Sequence, residues 1–249
     1  MSTVLAHQFS HLLRSLQSWV VLVIASVGIG YLYLTQLEFW VANQAAIAAS
    51  DHAPGLTGFL SVRFLEPLAL PLAILSLLFA MRAFSEEFRG ESLALWQLAP
   101  LSTRALVIGK FLGVLLLMLL PVGITLALVL LLAGSVTLEW RVLGSALLGL
   151  LLCISASVAI GIFFSSLTRH AIVALISGVA MIVLLWMIGE AGFAELPLDW
   201  LRMLSIPDHL RGFFQGFVQT RGLVYFAAIT VLFLALTTLR LDALRISGR

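Results

Sequence analysis

The chain has 249 residues, of which 61% are hydrophobic and only 10% charged, with a formal net charge of +2 and a mean hydropathy of +1.12. This composition excludes an ordinary water-soluble domain and defines a membrane protein with the lipid bilayer as its main surrounding. With 14 basic and 12 acidic residues, the charges nearly balance, and nucleic acid is not expected as a partner.

A bilayer core about 30 Å thick calls for roughly 20 apolar residues per helix at about 1.5 Å rise. Ahead of the first such stretch, Leu5, Phe9, Leu12, Leu13 and Leu16 share one side of a helix, with His7, Ser10, His11, Arg14 and Ser18 opposite. The spacing predicts a helix over residues 1–18 lying in the cytoplasmic interface. His7 and His11 are four apart, yet no Cys or carboxylate stands nearby in sequence to complete a site, and no metal is expected. The first span covers residues 15–37. Ala46-Ile47-Ala48 fits a small-x-small cleavage pattern but follows the apolar stretch at a distance, with Glu38 between, so cleavage is not expected.

Residues 36–58, with Asp51, His52 and Pro54, read as a short outer excursion. The second span is free of charge only over residues 67–81, and it reaches spanning length if its helix starts near Phe59 and carries Arg63 and Glu66 at its outer end. Three residues apart, these two fall on one helix face and read as an interfacial pair. Glu66 is also the deepest ionisable group in the spans, hence the candidate for lining a path through the membrane.

Residues 82–106 form a charged cytoplasmic loop. The apolar pattern continues through Phe84 and Phe88, so the second span is expected to protrude as a helix as far as Gly90, a C-cap. Ser92 then caps a short helix over residues 93–98, where Leu93, Leu95, Trp96 and Leu98 are too many apolar side chains for a solvated loop. Ala99-Pro100 ends it, and Ser102 is placed to cap the helix entering the third span. On chemistry alone two readings stand side by side: a solvated inside loop with Trp96 against headgroups, or a helix that docks onto a partner.

The remaining charge-free windows cover residues 111–138, 142–168, 170–189 and 222–239, with tight turns at 134–141 and 165–170. The outer segment 190–221 mixes Trp200, Leu201, Phe213, Phe214 and Phe217 with charges and two prolines, and belongs at the outer interface or dips part-way in. The single Cys153, inside the fourth span, leaves no partner for an intrachain disulfide. Small residues four apart, Gly109 with Gly113, Ser157 with Gly161 and Ala174 with Gly178, allow close helix approach and read as bundle packing.

The fold class is therefore an all-α membrane protein, a single transmembrane domain of six helices with an N-terminal interfacial amphipathic helix. Continuously apolar windows of this length exclude the alternating strands of a barrel. With both termini cytoplasmic, nine of the 14 basic residues lie inside, while eight of the 12 acids lie outside, as the positive-inside rule requires. An intramembrane enzyme would need paired acids, a His cluster or a nucleophile and base at membrane depth, and the spans offer none. A scaffold that anchors an ATPase and transmits force to a periplasmic partner is harder to separate from a transporter. The scattered Ser and Thr of the spans, such as Thr125, Ser155, Ser157 and Ser177, make dry walls that suit an amphiphilic or lipid-like cargo, or transmitted force, better than a hydrophilic solute.

The charged loop resembles the signature of ABC-2 type transporter permeases, through Glu86-Glu87, Arg89-Gly90, Ser92-Leu93, Leu95, Pro100-Leu101-Ser102 and Gly109-Lys110. The likeness is closest to the gliding-associated and nitrous-oxide-reductase-maturation subgroup, with further support from Ile206-Pro207-Asp208-His209, Phe214 and Gly216. Ala94 stands where the family often has an acid, and Gly90 sits one residue early. The resemblance implies that the loop is a coupling helix seated on a separate ATP-binding subunit, present in two copies, through Phe84, Glu86, Glu87, Phe88, Arg89, Glu91, Leu95 and Trp96. It further implies a second permease subunit, identical or related, a bacterial inner membrane, and room for a periplasmic auxiliary protein. Gly109-Lys110 is followed by Phe111, and Arg104 stands where the first Gly of a phosphate-binding loop belongs. No cofactor is expected on this chain; ATP and Mg belong to the partner ATPase, and no bond chemistry is expected here.

Overall fold

The computed structural model describes residues 15–44, 55–89, 102–134, 138–190 and 203–247. The expected interfacial helix lies outside these residues except for its last four, as do the short helix 93–98 and Trp200 and Leu201. In chain order the helices are α1 (Leu16–Ala42), α2 (Leu56–Leu60), a π-helical turn (Ser61–Leu65), α3 (Glu66–Ala80), α4 (Arg82–Arg89), α5 (Thr103–Leu130) with a 3-10 turn (Leu131–Gly134), α6 (Trp140–Leu167), α7 (Ala171–Glu190), α8 (Ile206–Phe214) and α9 (Thr220–Ser247). Among the described residues there is no strand.

Six of these segments are long and apolar enough to cross a membrane: α1, the run Leu56–Ser85, α5, α6, α7 and α9. The second span begins at Leu56, close to the start near Phe59 that its charges required. The fourth and fifth spans meet across Thr168–His170, where His170 N donates to Thr168 Oγ1 at 3.1 Å.

Burial orders the bundle. In the spans formed by Leu56–Ser85 and by α6, 61% of the most apolar window is buried, against 17% for α1, 22% for α7 and 17% for α9. The second and fourth spans are thus the core, and the others surround them with apolar side chains turned outward. Helix α6 packs against α3, α5, α7, α8 and α9 alike. Its interior face explains this: Ala146, Gly149, Ala156, Ser157, Ala159, Gly161 and Ser165 are all buried and small, so neighbouring backbones come close without a hydrophobic driving force from lipid.

The tightest approach lies between α3 and α6. A Cβ on Gly161 would stand 2.6 Å from Ala80 Cβ and 2.9 Å from Leu77 Cδ2, and one on Gly178 of α7 would stand 3.0 Å from the same Leu77 atom. Two of the three small-residue pairs seen in the sequence therefore grip one leucine of the second span, which is packing within the bundle.

The segment between the fifth and sixth spans packs onto the bundle. Ser205 caps α8 by accepting from Asp208 N at 3.2 Å. At the other end Phe217 N donates to Gly212 O at 2.9 Å and Gly216 N to Phe213 O at 3.1 Å, a Schellman closure that puts Gly216 at φ 86°, where a side chain would be strained. Between the caps Ile206, His209, Leu210, Phe213 and Phe214 are buried. Phe213 wedges between two glycines: a Cβ on Gly149 would lie 2.7 Å from Phe213 Cβ, and one on Gly222 2.6 Å from Phe213 Cε2. Ser61 Oγ of the π turn donates to Phe214 O at 2.6 Å, tying α8 to the second span as well.

A single methyl tests this close packing. Gly161→Ala should destabilise the purified protein by about 1–3 kcal/mol through overpacking, lowering its thermal midpoint in detergent, whereas Gly144→Ala on the same helix, with nothing within 4 Å, should leave it unchanged or slightly raised.

Candidate functional site

The end of the bundle where the basic residues gather is held by bonds between elements. Ser102 caps α5, its side chain accepting from Ala105 N at 3.3 Å, as its position before the third span predicts. Thr103 Oγ1 donates to Asp242 Oδ1 at 2.6 Å, joining the start of the third span to the end of the sixth. Arg82 Nη1 donates to Gln17 Oε1, joining the second span to the first.

The centre of this end is the root of α4. The hydrogen-bond ladder of the second span is interrupted at Met81, between α3 and α4, although Met81 keeps helical dihedrals of φ −57° and ψ −27°, and a side chain from another helix enters this break in the ladder. Ser165 Oγ, on α6, accepts from Phe84 N at 2.9 Å and from Ser85 N at 3.1 Å. These are the donors that a continuous helix would aim at the Ala80 and Met81 carbonyls. The same hydroxyl donates to Met81 O at 2.8 Å, where Ser85 Oγ also donates at 2.5 Å.

From the third span, Lys110 reaches the same root. Its Nζ donates to Ala83 O and lies 4.2 Å from the centroid of the Phe84 ring, although the residue is only 1% exposed. A buried ammonium is costly unless its charge is met, and here a carbonyl and the negative face of an aromatic ring meet it.

Phe84, which the resemblance implies at the partner contact, is 1% exposed in the chain by itself and lies against Lys110. Glu86, Glu87, Phe88 and Arg89 continue the α4 backbone, and their side chains lie outside what is described, while Glu91, Leu95 and Trp96 lie outside the described residues altogether. At the opposite end Arg63 sits in the π turn with its guanidinium 5.6 Å from the centroid of Phe39, and Glu66 opens α3 in its first turn. The sequence pointed to neither Ser165 nor Lys110 as a structural anchor. Ser165 looked like one more hydroxyl near a turn, and the signal for Lys110 was a cation placed at the start of an otherwise apolar window.

A second polar group sits under α8. His209 is 5% exposed, its Nδ1 donates to Ser205 O at 2.7 Å, and its ring stacks on Tyr225 with centroids 4.0 Å apart. Tyr225 Oη donates to Leu204 O at 2.5 Å. Burial pushes the imidazole below its ordinary value, the Ser205 carbonyl opposes that, Arg221 adds to the depression and Asp208 works against it.

With this geometry in place, the sequence relationship is direct. Residues 2–243 match the family described as ABC-2 family transporter protein, and the chain belongs to that family. It is thus a multi-pass membrane protein and the transmembrane permease subunit of an ABC transporter, a class of chain that works with an ABC ATPase subunit. No curated protein matches the chain.

The His209 environment carries a pH signature. A histidine depressed when folded binds more protons unfolded, so its contribution is complete above the ordinary value of 6.5 and is lost as pH falls toward the folded value. Hydrogen exchange over residues 205–217, corrected for intrinsic rates, should therefore show more frequent opening at pH about 5.5 than at about 7.5, and His209→Gln should abolish the difference.

Proposed function

We propose that this chain is the permease subunit of an ABC-2 exporter in a bacterial inner membrane, working in a pair of identical or related subunits with two ATPase subunits beneath them. Its task is export of an amphiphilic or lipid-like cargo or an envelope process driven by the same motion. The observation that carries this reading is the charged loop 82–106, whose first helix, α4, is rooted by polar bonds in the third and fourth spans. Closure of the ATPases on ATP pushes the short helix 93–98, and α4 hands that push to the core of the bundle. Binding energy does the mechanical work.

The choice of cargo rests on how the spans satisfy their hydroxyls. Ser76, Thr125, Ser157 and Thr237 are buried, and each donates to a carbonyl of its own helix, three or four residues back. Such hydroxyls offer no polar track for a hydrophilic solute, whereas the apolar flanks they leave suit acyl chains. The finer likeness to gliding-associated and nitrous-oxide-reductase-maturation permeases rests on the loop and on the Ile206–His209 run, and it favours an envelope process served together with a periplasmic partner.

Leu95→Glu combined with Trp96→Glu should release the ATPase subunit from the detergent-solubilised complex, with co-purified ATPase falling at least about tenfold, while membrane insertion is unchanged. Full retention of the ATPase on that variant would refute the coupling assignment.

A further inference from the structure

Most hydroxyls in the spans bond to their own helix, but Ser165 does not. Its one proton and two lone pairs all go to the second span, 80 or more residues away in sequence: the proton to Met81 O, the lone pairs to the Phe84 and Ser85 amides. The arrangement is largely shut off from solvent, since Ser165 and Ser85 are 0% exposed, Phe84 and Lys110 1%. A broken helix would ordinarily be a hinge, because the peptide groups released at the break can exchange partners with solvent. Here the Phe84 and Ser85 amides and the Met81 and Ala83 carbonyls all have side-chain partners, in a place where a lost bond leaves a buried group unsatisfied.

We propose that Ser165 and Lys110 are positioning residues that clamp α4 onto the fourth and third spans, turning the break at Met81 into a rigid elbow. Two features make the clamp possible. Gly161, one turn from Ser165 on the same face of α6, lets α6 come close enough to Ala80 and Leu77 for the hydroxyl to enter the break. Lys110 has the reach to cross to the Ala83 carbonyl from α5, and the Phe84 ring beneath it holds the charge without a water shell. A push on α4 then moves the second, third and fourth spans as one body, where a free hinge would let it dissipate as bending. The use of the clamp in coupling rests on the permease reading above; its rigidity does not.

The test is hydrogen exchange on the full chain in lipid nanodiscs, with its ATPase subunit wherever that subunit co-purifies. Ser165→Ala and Lys110→Met should each speed exchange across residues 82–89 about tenfold or more, leaving residues 205–217 at the wild-type rate. Ser165→Thr, which keeps the hydroxyl, should restore slow exchange. In the complex, the alanine variant should retain its ATPase subunit but lose the change that Mg-bound nucleotide produces in exchange over α5 and α6. Wild-type exchange over residues 82–89 in both variants, or acceleration spread equally to residues 205–217, overturns the clamp. Absence of an ATPase subunit from every preparation, wild type included, overturns the permease reading instead, and the exchange rates in the chain alone then decide the clamp by themselves.

Discussion

The architecture depends on the approach of the second and fourth spans at Gly161. In lipid, apolar side chains gain little by leaving the acyl chains, so helices associate where backbones can come close and make many van der Waals contacts. Gly161 supplies that closeness against Leu77 and Ala80, and Gly178 lets the fifth span join at the same leucine. Everything that distinguishes the basic end follows from it. Only because α6 lies so near α3 does a side chain as short as serine reach into the break at Met81.

The two ends of the bundle use the same materials differently. At the basic end the bonds between spans are polar and wholly or partly buried, through Ser165, Lys110 and Thr103, and those of Ser165 and Lys110 bind the base of α4. At the opposite end, packing dominates. Phe213 fills the space between Gly149 and Gly222, and one hydroxyl bond from Ser61 ties the helix to the second span. The π turn at Ser61–Leu65 belongs to this outer arrangement, since a widened turn re-aims side chains within an otherwise regular helix. A helix seated on glycines and closed by its own caps is a discrete unit.

The hydroxyls of the spans show why composition speaks clearly about some questions and not others. Ser76, Ser157 and Thr125 could have lined a polar route or simply folded back, and a sequence of scattered hydroxyls is the same in both cases. Their bonds to carbonyls three or four residues back settle where those groups point. The loop 82–106 was legible as a docking element because charge and aromatic side chains were concentrated in an otherwise apolar chain. Within it, a phenylalanine on an amphipathic helix is apolar whether it meets a partner or its own bundle, and Phe84 lies buried with Lys110 above its ring.

The number of spans and the cap at Ser102 were written in the chain, because burial of backbone in lipid demands long apolar helices and a capped helix start demands a hydroxyl at one position. The third span, however, runs over Thr103–Leu130, eight residues before the charge-free window 111–138, because its helix starts at the Ser102 cap and takes in Arg104 and Lys110. The burial of residues 206–214 against the bundle was half visible, in aromatic side chains and prolines that suit neither water nor a span. Which helices form the core was not legible, since α7 is as apolar as α6 yet far less buried. Nor were the roles of Ser165 and Lys110, which pair with residues 80 and 27 positions away. Local pattern specifies what a segment is made to be surrounded by; which neighbour surrounds it is decided only when distant glycines bring two backbones together.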